Sequence, residues 1–231
     1  MNSIHSTAVI GDGVVLGDGN VIGPHAVLCG PLVVGDDNWI GPGVVIGTPP
    51  EVRGVEHGEP WDEAPEEAAG VRIGSRNVIR EHALIHQGWR EQTVVGDDCF
   101  IMNKVYVAHD SRIGDGVTLA STVAMGGHVR IGDRANVGLG AVLHQRRLVG
   151  PGAMVGMGAV VTRDVPPFAR AFGNPARIHG ANAVGMERLG VDAAAVALVQ
   201  AAYAAGDVPG ADDVPEVLAP HFVWWAKEVA S

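Results

Sequence analysis

The sequence predicts an all-β solenoid, a parallel β-helix, followed by a helical appendage. Three observations predict it. Aliphatic residues recur every six positions through most of the first 161 residues, glycine supplies 33 of 231 residues, and after residue 180 both features give way to alanine-rich sequence. A period of six matches neither the 3.6 of an α-helix nor the two-residue alternation of a half-buried strand; it is the hexapeptide signature of short strands wound around a prism. The aliphatic residue points inward and stacks on its equivalent in the next coil, while Gly and Asx take the corners, where tight turns favour them. Three hexads close one coil, so residues 18 apart lie on neighbouring coils at strand spacing, roughly 4.8 Å. A β-sandwich would need longer strands, hairpin signals and no fixed period.

The first run of hexads is Ile4, Ile10, Leu16, Ile22, Leu28, Val34, Ile40 and Ile46. A short second run in a new register is Ile73, Ile79 and Ile85, and the third extends from Val95 through Val107, Met125 and Leu143 to Val161. These 23 hexads make seven to eight coils. Two interruptions shift the register: a long insertion over residues 47–72 and a short one over 86–94. The long one is acidic (Glu51, Glu56, Glu59, Asp62, Glu63, Glu66 and Glu67 against Arg53) and contains Pro49, Pro50, Pro60 and Pro65, which argue for a loop. Residues 1–180 therefore read as the β-helix domain and 181–231 as a C-terminal helical region, with one helix over 192–205 and another over 214–230 interrupted near Pro220. Helices on a rigid stack of coils suit capping it or closing a site.

Composition excludes several classes. A formal net charge of −10 without any Lys/Arg run is the wrong footprint for nucleic acid. Cys29 and Cys99 are too few for a disulfide framework or a four-cysteine zinc site. The N-terminal residues lack a basic segment followed by an apolar run, and no apolar stretch approaches a membrane span of about 20 residues. The expectation is a soluble, cytoplasmic protein.

The 18-residue rule also finds candidate chemistry. Val107, Met125 and Leu143 share a face, and a histidine follows each within three positions: His109, His128 and His144. A histidine column along one edge can supply a general base, because imidazole keeps a neutral fraction at neutral pH. Asp110 follows His109 as a candidate electrostatic partner, and the glycine amides before His128 can approach a substrate closely enough to stabilise an oxyanion. Base plus oxyanion donor on adjacent coils fits acyl transfer. No compact histidine grouping with metal-ligand spacing and no Gly-x-Ser-x-Gly elbow is present, so no metal and no serine nucleophile are expected.

The motifs IGTPP (46–50), GEP (58–60), NVIREHALIHQG (77–88), VAHD (107–110), GGHV (126–129), VLHQ (142–145), DVPP (164–167) and NAVGMERLG (182–190) stand in one order along nearly the whole chain. In that ordered set the sequence resembles the UDP-N-acetylglucosamine 3-O-acyltransferases, the LpxA family. The resemblance implies a left-handed β-helix, a homotrimer, and active sites in grooves between subunits. It implies transfer of an acyl group from an acyl-carrier-protein thioester to a hydroxyl or amine of a nucleotide-linked sugar, with no bound cofactor. Carried over motif by motif, His109 is the general base, Asp110 its partner, and the Gly127 backbone the oxyanion donor. His86, His128, His144 and Gln145 match groove positions for sugar, acyl or pantetheine, and Asn182 and Arg188 match positions that hold the nucleotide phosphates.

The departures are as informative. The family's Gln-Asp after the paired prolines is Glu51-Val52 here, placing Glu51 at the acceptor sugar. Its His three positions before the base is Tyr106, its Glu in the nucleotide segment is Val184, and its second Arg is Leu189. Met157 fills a position where the family's acyl-length ruler often has Gly, resembling members restricted to shorter chains. GNPARIHG (173–180) looks like the coenzyme-A-dependent hexapeptide acetyltransferases. Two alternatives follow: a coenzyme-A-dependent short-chain acyltransferase of sugar metabolism, and a noncatalytic sugar-nucleotide-binding scaffold.

Overall fold

In the computed structural model, which describes residues 1–55, 57–61 and 69–230, the chain climbs as a stack of triangular coils made of two- to five-residue strands. Three sheets form the walls. The ten-stranded first face runs from Ser3–Ile4 to Arg177–Ala181, the eight-stranded second face from Val9–Ile10 to Val160–Val161, and the seven-stranded third face from Val14–Leu16 to Leu148–Val149. All pairings are parallel except that of the closing strand Arg177–Ala181, which runs antiparallel to Ala169–Phe172. Seven coils place a strand on every face. The eighth (Met154–Val155, Val160–Val161) is completed by the bridge between Val149 and Val165, and Ala169–Phe172 opens a ninth.

The inward hexad residues are the core: Ile22, Ile40, Ile79, Ile101, Leu119, Val137 and Val155 stack along the first face, all at most 1% exposed. Ile4 starts that column and Ile10 the corresponding column of the second face, but they are 45% and 37% exposed, because the first coil has a neighbour on one side only. At the corner between the third and first faces, buried asparagines extend the ladder. Asn20 Oδ1 accepts from the Asn38 amide, Asn38 Oδ1 from the Asn77 amide, and Asn77 Oδ1 from the Cys99 amide, at 2.9, 2.9 and 2.7 Å. Side-chain amides thus satisfy the N–H groups that the turns leave unpaired.

Regular coils pair residues 18 apart, such as Val27 with Val45. Across the first insertion Leu32 pairs with Val71, an offset of 39, and across the second Leu84 pairs with Tyr106, an offset of 22. A slip of strand register would turn core residues outward, so surplus residues leave the stack at a corner. Both insertions leave at the same one, between second and third faces: after the strands Val45–Thr48 and Leu84–His86. There they meet in an antiparallel bridge between Gly70 and Gly88. Glu56, Asp62, Glu63, Pro65, Glu66 and Glu67 lie outside the described residues.

The C-terminal segment carries α1 (Ala183–Glu187), α2 (Ala193–Ala205) and α3 (Ala219–Val229). Asp192 caps α2 as the 192–205 pattern requires, its side chain accepting from the Ala195 amide. The third helix departs from expectation: it starts at Ala219, after a 3₁₀ turn at Ala211–Asp213, and Pro220 lies in its first turn. A proline there loses no helical hydrogen bond, so it begins the helix and does not interrupt it. The helices fold back onto the stack. The Tyr203 hydroxyl donates to the Pro167 carbonyl, Gln200 accepts from the Ala181 amide at 2.7 Å, and Glu228 pairs with Arg130 on the third face. Among the described residues no helix is long and apolar enough to cross a membrane. Both cysteines are free and buried, and burial pushes their thiols up to about 11.

Candidate active site

The corner from which both insertions depart is also the corner of the histidines. Three successive coils turn there through residues with left-handed φ, stacked at 18-residue spacing: Asp110 (59°), His128 (60°) and Arg146 (60°). The positions just before them are His109, Gly127 and Gln145. Backbone bonds hold the levels together, His128 donating to the His109 carbonyl at 3.0 Å and Arg146 to the Gly127 carbonyl at 2.9 Å.

Asp110 organises the corner. Its side chain is fully shielded from solvent. Oδ1 accepts from three consecutive backbone amides of the second loop, Trp89, Arg90 and Glu91, at 3.0, 2.8 and 2.6 Å. Oδ2 lies 2.6 Å from His109 Nδ1 and 3.5 Å from His128 Nε2. Burial pushes this carboxyl upward, but the Glu91 amide, the His109 ring and the Arg90 amide outweigh it and hold Asp110 below the ordinary carboxylate range. A charged carboxylate facing Nδ1 fixes the hydrogen on that nitrogen, so the neutral ring carries its lone pair on Nε2.

The His109 ring is half-buried and lies on Gly127: a Cβ built at that glycine would fall 2.6 Å from Cε1 and 2.7 Å from Nε2. Gly127 has no left-handed φ, so the need for glycine here is the ring above it. The Gly127 N–H donates to no acceptor among the described residues. A base with a bare lone pair thus stands against an unused amide donor. His128 completes the cluster, its ring 5.2 Å from that of His109 and nearly perpendicular; burial pushes its pKa down, opposed by Asp110. Trp89 forms a wall, its ring 6.2 Å from His109.

His109, Asp110 and His128, which the sequence spacing grouped for acid–base chemistry and not as metal ligands, bring potential ligand atoms within 4.8 Å of one another. The geometry is that of a hydrogen-bonded relay, since Asp110 Oδ2 is engaged by the His109 N–H and Oδ1 by three amides.

The other expected residues fall into separate places. His144 is exposed, its Nδ1 3.1 Å from the Gln145 carbonyl, and joins no contact with His109 or His128 among the described residues. Gln145 is exposed one coil above Gly127. His86 is buried on the coil below, its Nδ1 2.9 Å from the Pro49 carbonyl. Glu51 stands beside it, bound by the Tyr106 hydroxyl at 2.6 Å. Met157, 78% exposed, sits at a different corner, between first and second faces. Asn182 and Arg188 are on the first face beside a cavity of about 760 Å³ that Arg134 and Arg170 also line. Asn182 is the N-cap of α1, accepting from Gly185 and donating to the Gly152 carbonyl. The sequence reading missed the amide cradle of residues 89–91 and the bond from Tyr106 to Glu51. A loop's return path to a corner leaves no periodic signal.

Comparisons with known proteins point one way. Residues 92–127 match the bacterial transferase hexapeptide model (six repeats), and residues 164–205 match domain 2 of UDP-N-acetylglucosamine O-acyltransferase. The acyl-[acyl-carrier-protein]–UDP-N-acetylglucosamine O-acyltransferase of Thermodesulfovibrio yellowstonii is 37% identical over 227 residues, covering 88% of this chain and 83% of that protein. The enzyme of the same name from Paraburkholderia phymatum is 38% identical, covering 88% and 82%. Among solved structures, the UDP-N-acetylglucosamine acyltransferase of Bacteroides fragilis superposes with a TM-score of 0.78 at 27% identity, covering 98% of this chain and 95% of its own. That of Campylobacter jejuni gives 0.77 at 26%, covering 96% and 93%.

Proposed function

The chain belongs to the UDP-N-acetylglucosamine O-acyltransferase family and is an acyltransferase, and from that footing we propose that it moves an acyl group from an acyl-carrier-protein thioester to a nucleotide-linked sugar, with His109 as general base. The observation that carries the assignment is the 2.6 Å contact between His109 Nδ1 and Asp110, which turns the bare Nε2 away from the carboxylate and beside Gly127. Nε2 removes the proton from the acceptor hydroxyl or amine as its heteroatom attacks the thioester carbonyl. The Gly127 N–H donates to the oxyanion of the tetrahedral adduct, worth about 2.7–4 kcal/mol in comparable sites. Asp110 stabilises the imidazolium for that interval. Collapse breaks the C–S bond, and the leaving thiolate takes the proton back from His109. No covalent enzyme intermediate and no bound cofactor are required.

The other two parts of the proposal concern assembly and binding. The second face presents an apolar column to the outside, Val9, Val27, Val45, Leu84, Tyr106, Ala124, Val142 and Val160, with Val9 41% and Val142 46% exposed. The first face does the same through Val21, Trp39, Val78 and Phe100, whereas the third turns cationic at Arg72, Arg112 and Arg130. Two different apolar faces meeting at one edge suit a closed heterologous ring, here a homotrimer with that edge at its axis. Such a ring sets the His109 corner of one subunit opposite the Arg134, Arg170 and Arg188 cavity of the next. Planar guanidinium groups suit the nucleotide phosphates there, and Arg188 is the natural phosphate ligand. Asn182 shapes that cavity by capping α1. His144 and Gln145 extend the groove for the donor arm, His128 lines it beside the base, and Met157 limits the acyl chain at the inner edge.

The experiment is a panel of acyl-carrier-protein and coenzyme A thioesters against UDP- and dTDP-linked amino sugars. Wild type transfers from the carrier protein, and His109→Ala loses about 10²–10⁴-fold in rate while binding the nucleotide sugar and sedimenting as a trimer. Turnover with coenzyme A thioesters alone would replace the donor, and an unimpaired His109→Ala enzyme would end the assignment.

A further inference from the structure

The third face carries an ion-pair network that ends on the amide cradle of Asp110. Arg112 and Arg130 pair on adjacent strands of that face, so two guanidinium groups stack at strand spacing and repel each other. Two carboxylates reach them from outside the coils. Glu91, in the short insertion, has its Oε2 3.0 Å from Arg112 Nη2 and 4.0 Å from Arg130 Nη2. Glu228, in the last turn of α3, pairs with Arg130 Nη1. A carboxylate at that end of a helix opposes the helix dipole, so its place is explained by the guanidinium it meets. With Glu228 on Arg130, Glu91 accepts its hydrogen bond from Arg112.

Glu91 thereby grips one stretch of chain at two points. Its amide donates to Asp110 Oδ1 at 2.6 Å, and its side chain accepts from Arg112, two residues further on. The ends of the insertion are held by backbone bonds, Gly88 and Thr93 both donating to the Gly70 carbonyl, at 3.0 and 3.2 Å. Between them the Arg90 guanidinium lies over the Trp89 ring, 4.1 Å from its centre. The amides of these two residues, 3.0 and 2.8 Å from Asp110, follow where Glu91 is set.

We infer that Glu91 and Arg112 are positioning residues for acyl transfer: their ion pair sets the three amides on Asp110, and Asp110 sets the His109 ring. Neither touches the reacting atoms, and the role rests on His109 acting as general base. Residue 91 has its backbone amide whatever its side chain, so what the Glu91 carboxylate adds is the placement of that amide. Placement matters because Asp110 is fully shielded and depends on its donors. Burial drives its carboxyl toward the neutral form, and the Glu91 amide comes first among the contacts that hold it ionised. The pair itself is a modest source of stability, since the Arg112 and Glu91 side chains are 53% and 47% exposed. Rate is more sensitive than stability to such a contact. A displacement of about 1 Å costs roughly 10²-fold, so a few tenths of an ångström cost about fivefold.

Glu91→Ala and Arg112→Ala, made singly and together in the full-length protein, test the pair, with Arg72→Ala as a control from the same face. Steady-state transfer gives kcat and KM, hydrogen exchange reports the Trp89 and Arg90 amides, and melting curves report the fold. In each single variant kcat falls about fivefold while KM stays within about twofold. The two amides exchange about fivefold faster, the most that an ion pair this exposed supplies. The double variant is no worse than either single one, because both substitutions remove the same contact. Arg112→Lys recovers most of the loss, since a cation there still meets Glu91. All variants melt within a few degrees of wild type, and Arg72→Ala matches wild type throughout. Exchange at Trp89 and Arg90 that is unchanged in Glu91→Ala overturns the inference. So do additive losses in the double variant, a rise in KM in place of the fall in kcat, or an undiminished kcat where His109→Ala is inactive. Faster exchange beside a fully active His109→Ala refutes the general base and leaves the hold of Glu91 on the loop standing.

Discussion

Replacing Gly127 by alanine tests the contact on which the proposed chemistry turns. The added methyl would lie 2.6 Å from His109 Cε1, 2.7 Å from Nε2 and 3.2 Å from Nδ1. Carbon contacts in packed proteins relax at roughly 3.5–4.0 Å, so the ring must retreat by about 1 Å. It cannot do so freely, because Nδ1 is tied to Asp110 at 2.6 Å and Asp110 is tied to three loop amides. Backbone strain is not the issue, since Gly127 lacks the left-handed φ that only glycine adopts readily. A misplacement of about 1 Å costs roughly 10²-fold in rate, and the overpacking costs about 1–3 kcal/mol in stability. Steady-state transfer and thermal melting read the two effects. The decisive comparison adds Gly127→Ala to His109→Ala: removing the ring takes away the three atoms nearest the methyl, so the double variant melts like His109→Ala alone. Full activity in Gly127→Ala, or a stability loss that persists without the ring, would show that His109 and Gly127 do not share a site.

The remaining predictions follow from the same cluster. Asp110 titrates below its ordinary value when folded, so its stabilisation is complete above the unfolded carboxylate pKa and vanishes as pH falls through the folded one; Asp110→Asn therefore melts well below wild type at pH 7 and converges on it in acid. That variant also loses protection from hydrogen exchange at Trp89, Arg90 and Glu91, which an effect confined to His109 would leave untouched. Because Asp110 is saturated with N–H donors, dialysis against a chelator leaves the transfer rate unchanged, and a rate restored by added divalent ion after such dialysis would show a metal at the corner. Arg188→Ala raises KM for the nucleotide sugar about tenfold and leaves kcat within a few-fold, since a phosphate contact away from the reacting atoms contributes uniform binding.

How much of this was legible in the sequence depended on whether a period governed it. The inward columns were, because each hexad aliphatic has a partner 18 residues on and any other register would turn it outward. The grouping of His109, His128 and Gly127 was legible for the same reason. His144 shows the limit of that reasoning: it follows Leu143 directly, whereas His109 stands two positions after Val107, and one position at a corner changes the direction of a side chain. The partners supplied by the insertions, Glu51 and the amides of residues 89–91, follow no period. Their positions are set by Asp110, Tyr106 and the bridge between Gly70 and Gly88. Pro220 was misread because a proline in the first turn of a helix and one that breaks it differ only in where the preceding cap lies.

The asparagine ladder and the coils it links have a bearing on where the chemistry sits. A pile of near-identical layers, each touching only the layers above and below, loses order from its ends inward. His109 and His128 lie in the fifth and sixth of its storeys, with whole storeys on both sides. Breathing at the N-terminal lip is therefore spent before it reaches the imidazoles, and the groove stays rigid with both cysteines free.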